Sequence, residues 1–268
     1  MKHFLLAAAL LATTITLRAQ EDSKDEEYEL RGTEKYGYII TEKGDKVEGI
    51  VRLMGTPETP WVNQKKVKFI AKSDINPDKK RQKLKVWDTD DLKEYVAFED
   101  GTEHHFRLIK YANVREGIGS DNHGAGGTFK TIKNLSTTRH MAEVLVDGKV
   151  SVFRLYGYPA AFAVGKGDVE RMEKETKELL ENPTLIVQKA DGRAKELKVD
   201  DVKEMTEDCD MVKGKMASGG YASYDPTKEE KKRSGLNKLV KEQAVDRSGN
   251  KLIVMSTEVF GDYNANCK

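Results

Sequence analysis

Residues able to do metal or acid–base chemistry are concentrated in two short stretches, residues 88–91 (Asp-Thr-Asp-Asp) and residues 103–105 (Glu-His-His), with His123 further along. Imidazole and carboxylate together suit zinc and related ions, which makes His104, His105, His123 and Asp90 the candidate metal ligands. Successive residues of a strand point to opposite faces, so His104 and His105 are poorly placed to chelate one ion; one is expected to be exposed and the other packed. Residues 88–91 could offer hard oxygens to calcium. The glycine and distal glutamate of an EF-hand loop are missing, however, and an acidic turn or helix cap is the simpler reading. The glycine-rich residues 117–127 could cradle an anion with backbone amides. They lack both the Lys-Ser/Thr of a phosphate loop and the strand and helix context of a dinucleotide loop, so a connector is expected.

No Gly-x-Ser-x-Gly elbow or His-Glu-x-x-His pattern occurs, and no catalytic residue or cofactor is assigned. Asn134-Leu-Ser136 fits a glycosylation sequon. Cys209 and Cys267 are the two cysteines, and two cysteines in an exported chain are more often paired than free. The bridge would close a loop of about 59 residues and stabilise the fold by roughly 4 kcal/mol at most in the chain-entropy model. A redox role normally uses Cys-x-x-Cys, which is absent.

The elements that must position these groups follow from hydrophobic patterning. Residues 1–19 read as a signal peptide: basic Lys2 and His3, an apolar run to Leu17, and Ala19 before the cut. That run of about fourteen residues is short of the roughly 18 needed to span a bilayer, so no transmembrane span is expected in the mature chain. Lys2 and Arg18 leave with the signal, which takes the formal net charge from +1 to −1. Such a balance supplies no basic field for nucleic acid. Residues 20–34 are acidic, with few large apolar side chains, and read as a flexible leader.

From residue 35 to 116 the chain reads as a β-rich region, 117–140 as glycine-rich loop and connector, and 141–268 as further hairpins followed by helices. Alternating apolar runs flank turns at Gly44, Gly101, Gly148 and Gly192, the last three preceded by aspartate. Asp-Gly supports a type I′ hairpin turn, because both central residues need positive φ. Helices are expected from Val169 to Leu180 capped by Asp168, from Asp200 to Glu207, after Thr227, and over Leu252, Ser256, Val259, Phe260 and Tyr263, which recur at helical spacing. A strand at residues 252–255 is the alternative for the start of the last one. The fold class is therefore α+β, mainly antiparallel β-hairpins with C-terminal helices.

Three segments resemble uncharacterised exported proteins of Bacteroidetes-type bacteria: Tyr36-Gly-Tyr-Ile-Ile-Thr-Glu-Lys-Gly, Val144-Leu-Val-Asp-Gly-Lys-Val-Ser-Val-Phe, and Asp262-Tyr-Asn-Ala-Asn-Cys267. The resemblance implies a β-rich envelope protein and carries over no catalytic residue. The expected role is non-catalytic, structural or binding, toward an envelope protein or glycan, in the periplasm, at the outer membrane or in the medium. The alternatives are an exported hydrolase or metal-assisted enzyme with a site assembled from scattered residues, and a surface adhesion or host-facing factor.

Overall fold

The structure is a computed structural model and describes residues 28–118, 124–160, 166–224 and 249–267. Its strands are β1 Glu34–Thr41, β2 Lys46–Leu53, β3 Lys66–Ala71, β4 Lys85–Asp88, β5 Leu92–Glu99, β6 Thr102–Lys110, β7 Arg139–Val146, β8 Val150–Leu155, β9 Thr184–Lys189 and β10 Lys195–Glu196. The helices among the described residues are α1 Val114–Gly117, α2 Gly124–Ser136, α3 Lys166–Glu181, α4 Val199–Met205, α5 Asp210–Ala217 and α6 Gly249–Asn266. All ten strands belong to one antiparallel sheet in the order β10-β9-β8-β7-β6-β5-β1-β2-β3-β4. The chain is thus mixed and sheet-rich, with a C-terminal helix.

That strand order forces curvature. In a flat sheet β4 and β5 would stand four strand spacings apart, roughly 19 Å. Only residues 89–91 join them, and the four Cα steps from Asp88 to Leu92 reach about 14 Å. β1 to β5 must therefore curl until β4 approaches β5. Gly37 and Gly49, which face each other across β1 and β2, permit the bend: a Cβ would press into the Val96 carbonyl at Gly37 and into the Ile70 carbonyl at Gly49. Inside the curl Ile39, Val51, Val67, Phe69, Leu92, Tyr95 and Ala97 form a core with Phe106 and Met141. The Tyr95 and Phe106 rings stack there at 4.6 Å between centroids.

The remaining strands continue as an open sheet that needs a separate cover. One face of β7 to β9 contributes Val146, Val150, Val152, Leu185 and Val187 to a core completed by α4, α5 and α6. On α6, Leu252, Met255, Ser256, Val259, Phe260 and Tyr263 are buried, a stripe at helical spacing; the helix reading of residues 252–255 is the one observed. Each fully buried large apolar side chain contributes about 1.5–3 kcal/mol. Asn264 ties the helix to the sheet, accepting from Val150 N–H at 2.9 Å and donating to the carbonyls of Asp147 and Val150.

The seam between the two halves is polar and fully buried. Gln64 exchanges hydrogen bonds with the Tyr156 backbone at 2.9 and 2.5 Å, and its carbonyl accepts from Met141 N–H at 2.8 Å. His140 lies between the Tyr111 carbonyl and the Tyr158 hydroxyl, 3.0 Å from each. A carbonyl only accepts, so Nε2 carries the proton and Nδ1 accepts from Tyr158. Burial pushes the His140 pKa down to about 4, beyond what its backbone hydrogen bonds restore.

Several expectations are corrected. Residues 117–127 are not a continuous loop: Gly117 ends α1, and α2 already begins at Gly124. Tertiary ties hold α2 in spite of its glycines, with Lys130 3.5 Å from Glu116 and 3.1 Å from Glu175. α3 starts at Lys166, two residues before the expected cap Asp168. β4 carried no alternating pattern long enough to mark it. Of the four expected turns, positive φ at both central residues occurs only at Asp100-Gly101; in the others it falls on Gly44, Gly148 or Ala190 alone. Asn134 is fully buried and bonded to the Tyr158 backbone, so the folded chain does not present the sequon. The signal peptide and the helix expected after Thr227 lie outside the described residues.

Candidate functional site

β6 places its two histidines as strand geometry demands. His104 stands opposite Ala97, with Nε2 3.5 Å from Glu99; His105 stands opposite Val96 on the other face, with Nε2 3.2 Å from Glu94 and Nδ1 3.8 Å from Glu103. The His105–Glu94 approach is close but off the hydrogen-bond line, leaving Nε2 without a proper partner. Glu94 also accepts from the Tyr38 hydroxyl at 3.1 Å and from Arg107 Nε at 3.3 Å, and Arg107 forks onto Asp147 at 2.8 and 2.9 Å. Burial opposes the Glu94 charge, yet His105 and Arg107 more than offset it and hold its pKa below the ordinary range. Burial, with the Glu94 charge adding to it, pushes Tyr38 up to about 12. Arg107 holds Asp147 down. The carboxylates of this chain of pairs thus stay ionised and its phenol protonated near neutrality, a static tie from β1 through β5 and β6 to the turn before β8.

The other candidates are dispersed. Asp90 sits in the β4–β5 turn with its side chain 83% exposed and pairs with Arg139 at 3.3 Å. His123 lies outside the described residues. Among the described residues no group of three or more His, Cys, Asp or Glu is arranged to hold a metal ion. Cys209 and Cys267 are at disulfide distance, with Cα atoms 5.8 Å apart, and clamp α6 to the segment before α5. Next to that bridge, Asp208 accepts from Tyr263 at 2.9 Å and from Lys189 at 3.1 Å, and these partners, Lys189 first, hold its pKa down at about 2.

A cleft of about 620 Å³ opens where the end of β6 meets the β9–β10 turn. Tyr111, Ala112, Val114 and Ala194 give it mostly apolar walls, while Lys110, Thr138, Arg193, Lys195 and Glu196 supply its polar groups. The wall charges differ in their commitments. Lys195 is held by Asp201 at 2.6 Å and Glu204 at 3.4 Å, and Glu196 faces Arg115 at 3.5 Å. Lys110 and Arg193 have no ion-pair partner among the described residues. Burial first, then the Glu196 charge, pushes the Tyr111 hydroxyl up to about 12, so it stays protonated beside the cleft.

This arrangement can hold an apolar group with an acidic one beside it. Sequence reasoning missed it, because Tyr111 and Arg193 are separated by most of the open sheet and neither sits in a recognisable motif. No protein-family model, curated protein or solved structure matches the chain.

Proposed function

We propose that the chain is exported to a bacterial envelope and acts there by binding, without chemistry of its own, through the cleft beside Tyr111. The partner is an envelope component that presents an apolar side group next to an acidic one. The observation that supports this reading is the cleft itself: apolar walls for contact area, and two cations without an ion-pair partner among the described residues, Lys110 and Arg193, for orientation. Export is supported by the signal-like residues 1–19, by the cystine, and by the resemblance to exported β-rich proteins.

The test uses a synthetic peptide alternating phenylalanine and glutamate, titrated against the purified protein. Arg193→Glu is expected to weaken capture by about tenfold, equivalent to roughly 1.4 kcal/mol. His104→Ala, His105→Ala and Asp90→Ala are expected to change it less than about twofold, as for sites without contact to the ligand. Parallel assays against glycans, peptides and phosphoesters, with and without zinc or calcium, address the enzyme alternative. Reproducible turnover lost in a folded His105→Ala variant would replace binding with hydrolysis. Protein from the native envelope should begin at or within about two residues of Gln20, and an intact mass that retains Met1 would remove export.

A further inference from the structure

Beyond the cleft, the seam carries a second arrangement of charge. Lys65, on the entry to β3, and Lys133, in the last turn of α2, both place their ammonium groups on Tyr158: the Nζ atoms stand 4.6 and 5.2 Å from its ring centroid. The ring is 1% exposed, so the two lysines roof it. Three parts of the chain far apart in sequence converge to make this contact.

Elsewhere in the molecule several lysines face carboxylates, while Lys46 and Lys85 each lie alone over one ring, Tyr38 and Trp87. Lys130, Lys189, Lys195 and Lys215 each have a carboxylate within 3.1 Å. Lys65 and Lys133 have none among the described residues, and neither does neighbouring Lys66. Tyr158 and His140 beneath them are both neutral near pH 7, the first raised and the second lowered by burial. Burial first, then repulsion from Lys133 and Lys66, lowers the pKa of Lys65, and burial lowers that of Lys133. A cation over an aromatic face is attracted by the negative face of the ring. A second cation on the same ring adds like-charge repulsion, which a bound anion relieves.

We infer that Lys65 and Lys133, roofing Tyr158, form a binding site for a phosphoryl group. Two ammonium groups match a dianionic phosphate better than a monoanionic carboxylate, and ammonium–phosphate hydrogen bonds are charge-assisted. Asn134 and Gln64 hold the floor in place through their bonds to the Tyr158 and Tyr156 backbones, so the anion meets a rigid surface. The phosphoryl group could belong to a free phosphate ester or to a lipid headgroup.

The purified protein is titrated with inorganic phosphate at ionic strength held constant with sodium chloride, following lysine side-chain NMR signals and the thermal midpoint. A second arm compares vesicles containing phosphatidic acid, whose headgroup is a phosphomonoester, with vesicles of phosphatidylcholine alone. Saturable shifts of the Lys65 and Lys133 signals are expected, with affinity falling about tenfold in Lys65→Gln and in Lys133→Gln. Lys43→Gln, in the β1–β2 turn, should leave it unchanged. Lys65→Arg and Lys133→Arg, which keep the charge, should retain binding within about threefold, which separates loss of the anion from loss of the fold. Binding in the vesicle arm assigns the group to lipid, and binding in the phosphate arm alone assigns it to a soluble ester. Absence of any shift beyond that of chloride, or affinity unchanged in both Gln variants, overturns the site.

Discussion

The two halves of the sheet bury their apolar faces by different means. β1 to β5 curl around Ile39, Val51, Phe69 and Tyr95, so the sheet covers its own apolar face. β7 to β9 stay open and import α4, α5 and α6, held by ties that span much of the chain: Asn264 to Val150, Tyr263 to Asp208, and Cys267 to Cys209. The curl is held by strand pairing, including the long-range pairing of β1 with β5 that sets Gly37 opposite Ala97. An open sheet depends on whatever clamps its cover, and the same sequence therefore contains one half that stands on strand pairing and one that stands on ties between helices and sheet.

The contrast makes measurable claims. The largest effect is expected from Phe260→Ala, which removes a fully buried ring from the helix-covered core and should cost about 3–5 kcal/mol in denaturant unfolding. Hydrogen exchange should rise in α6, β8 and β9 and stay low in β1 to β3; equal loosening of both halves would dissolve the distinction. Replacing both cysteines by serine should cost up to roughly 4 kcal/mol, since the bridged residues are 58 apart in sequence. The loss should again appear first in the C-terminal half.

Acid tests the seam. His140 has its pKa depressed from the ordinary 6.5 to about 4, so the unfolded chain binds a proton in a range where the folded chain does not. Its contribution is complete above pH 6.5 and is lost as the pH falls toward 4, on the order of 3 kcal/mol in all. Unfolding free energy measured from pH 7 to 4 should show that slope, and His140→Gln should flatten it. An unchanged slope in the variant would mean that the seam does not sense acid through this ring. The smallest effect is expected at the exposed turn: Asp90→Ala should move the thermal midpoint by no more than about 0.5 kcal/mol equivalent, because surface ion pairs contribute little.

The residues chosen for chemistry and the residues that line the cleft differ for a physical reason. His104, His105 and Asp90 stand out by type, yet the fold gives them carboxylate or arginine partners on a sheet surface or in a turn. Tyr111, Arg193, Lys65 and Lys133 are unremarkable by type. They acquire meaning from what surrounds them: a cavity in one case, an aromatic ring without a counter-charge in the other. The opposite facing of His104 and His105 was readable, because it is a property of any strand.

Local periodicity and chemistry were enough to mark a sheet-rich chain, the α6 stripe from Leu252 to Tyr263, the acidic turn at residues 88–91 and the availability of Cys209 and Cys267 for pairing, but not β4. Each depends on spacing along a few residues or on composition. Tertiary structure alone decided that β1 to β5 curl so that β4 leads back to β5, that α2 starts among glycines, and that Tyr158 gathers two lysines. A hydrophobic pattern specifies which face is buried and leaves open what it is buried against, because that partner is chosen by the packing of segments distant in sequence.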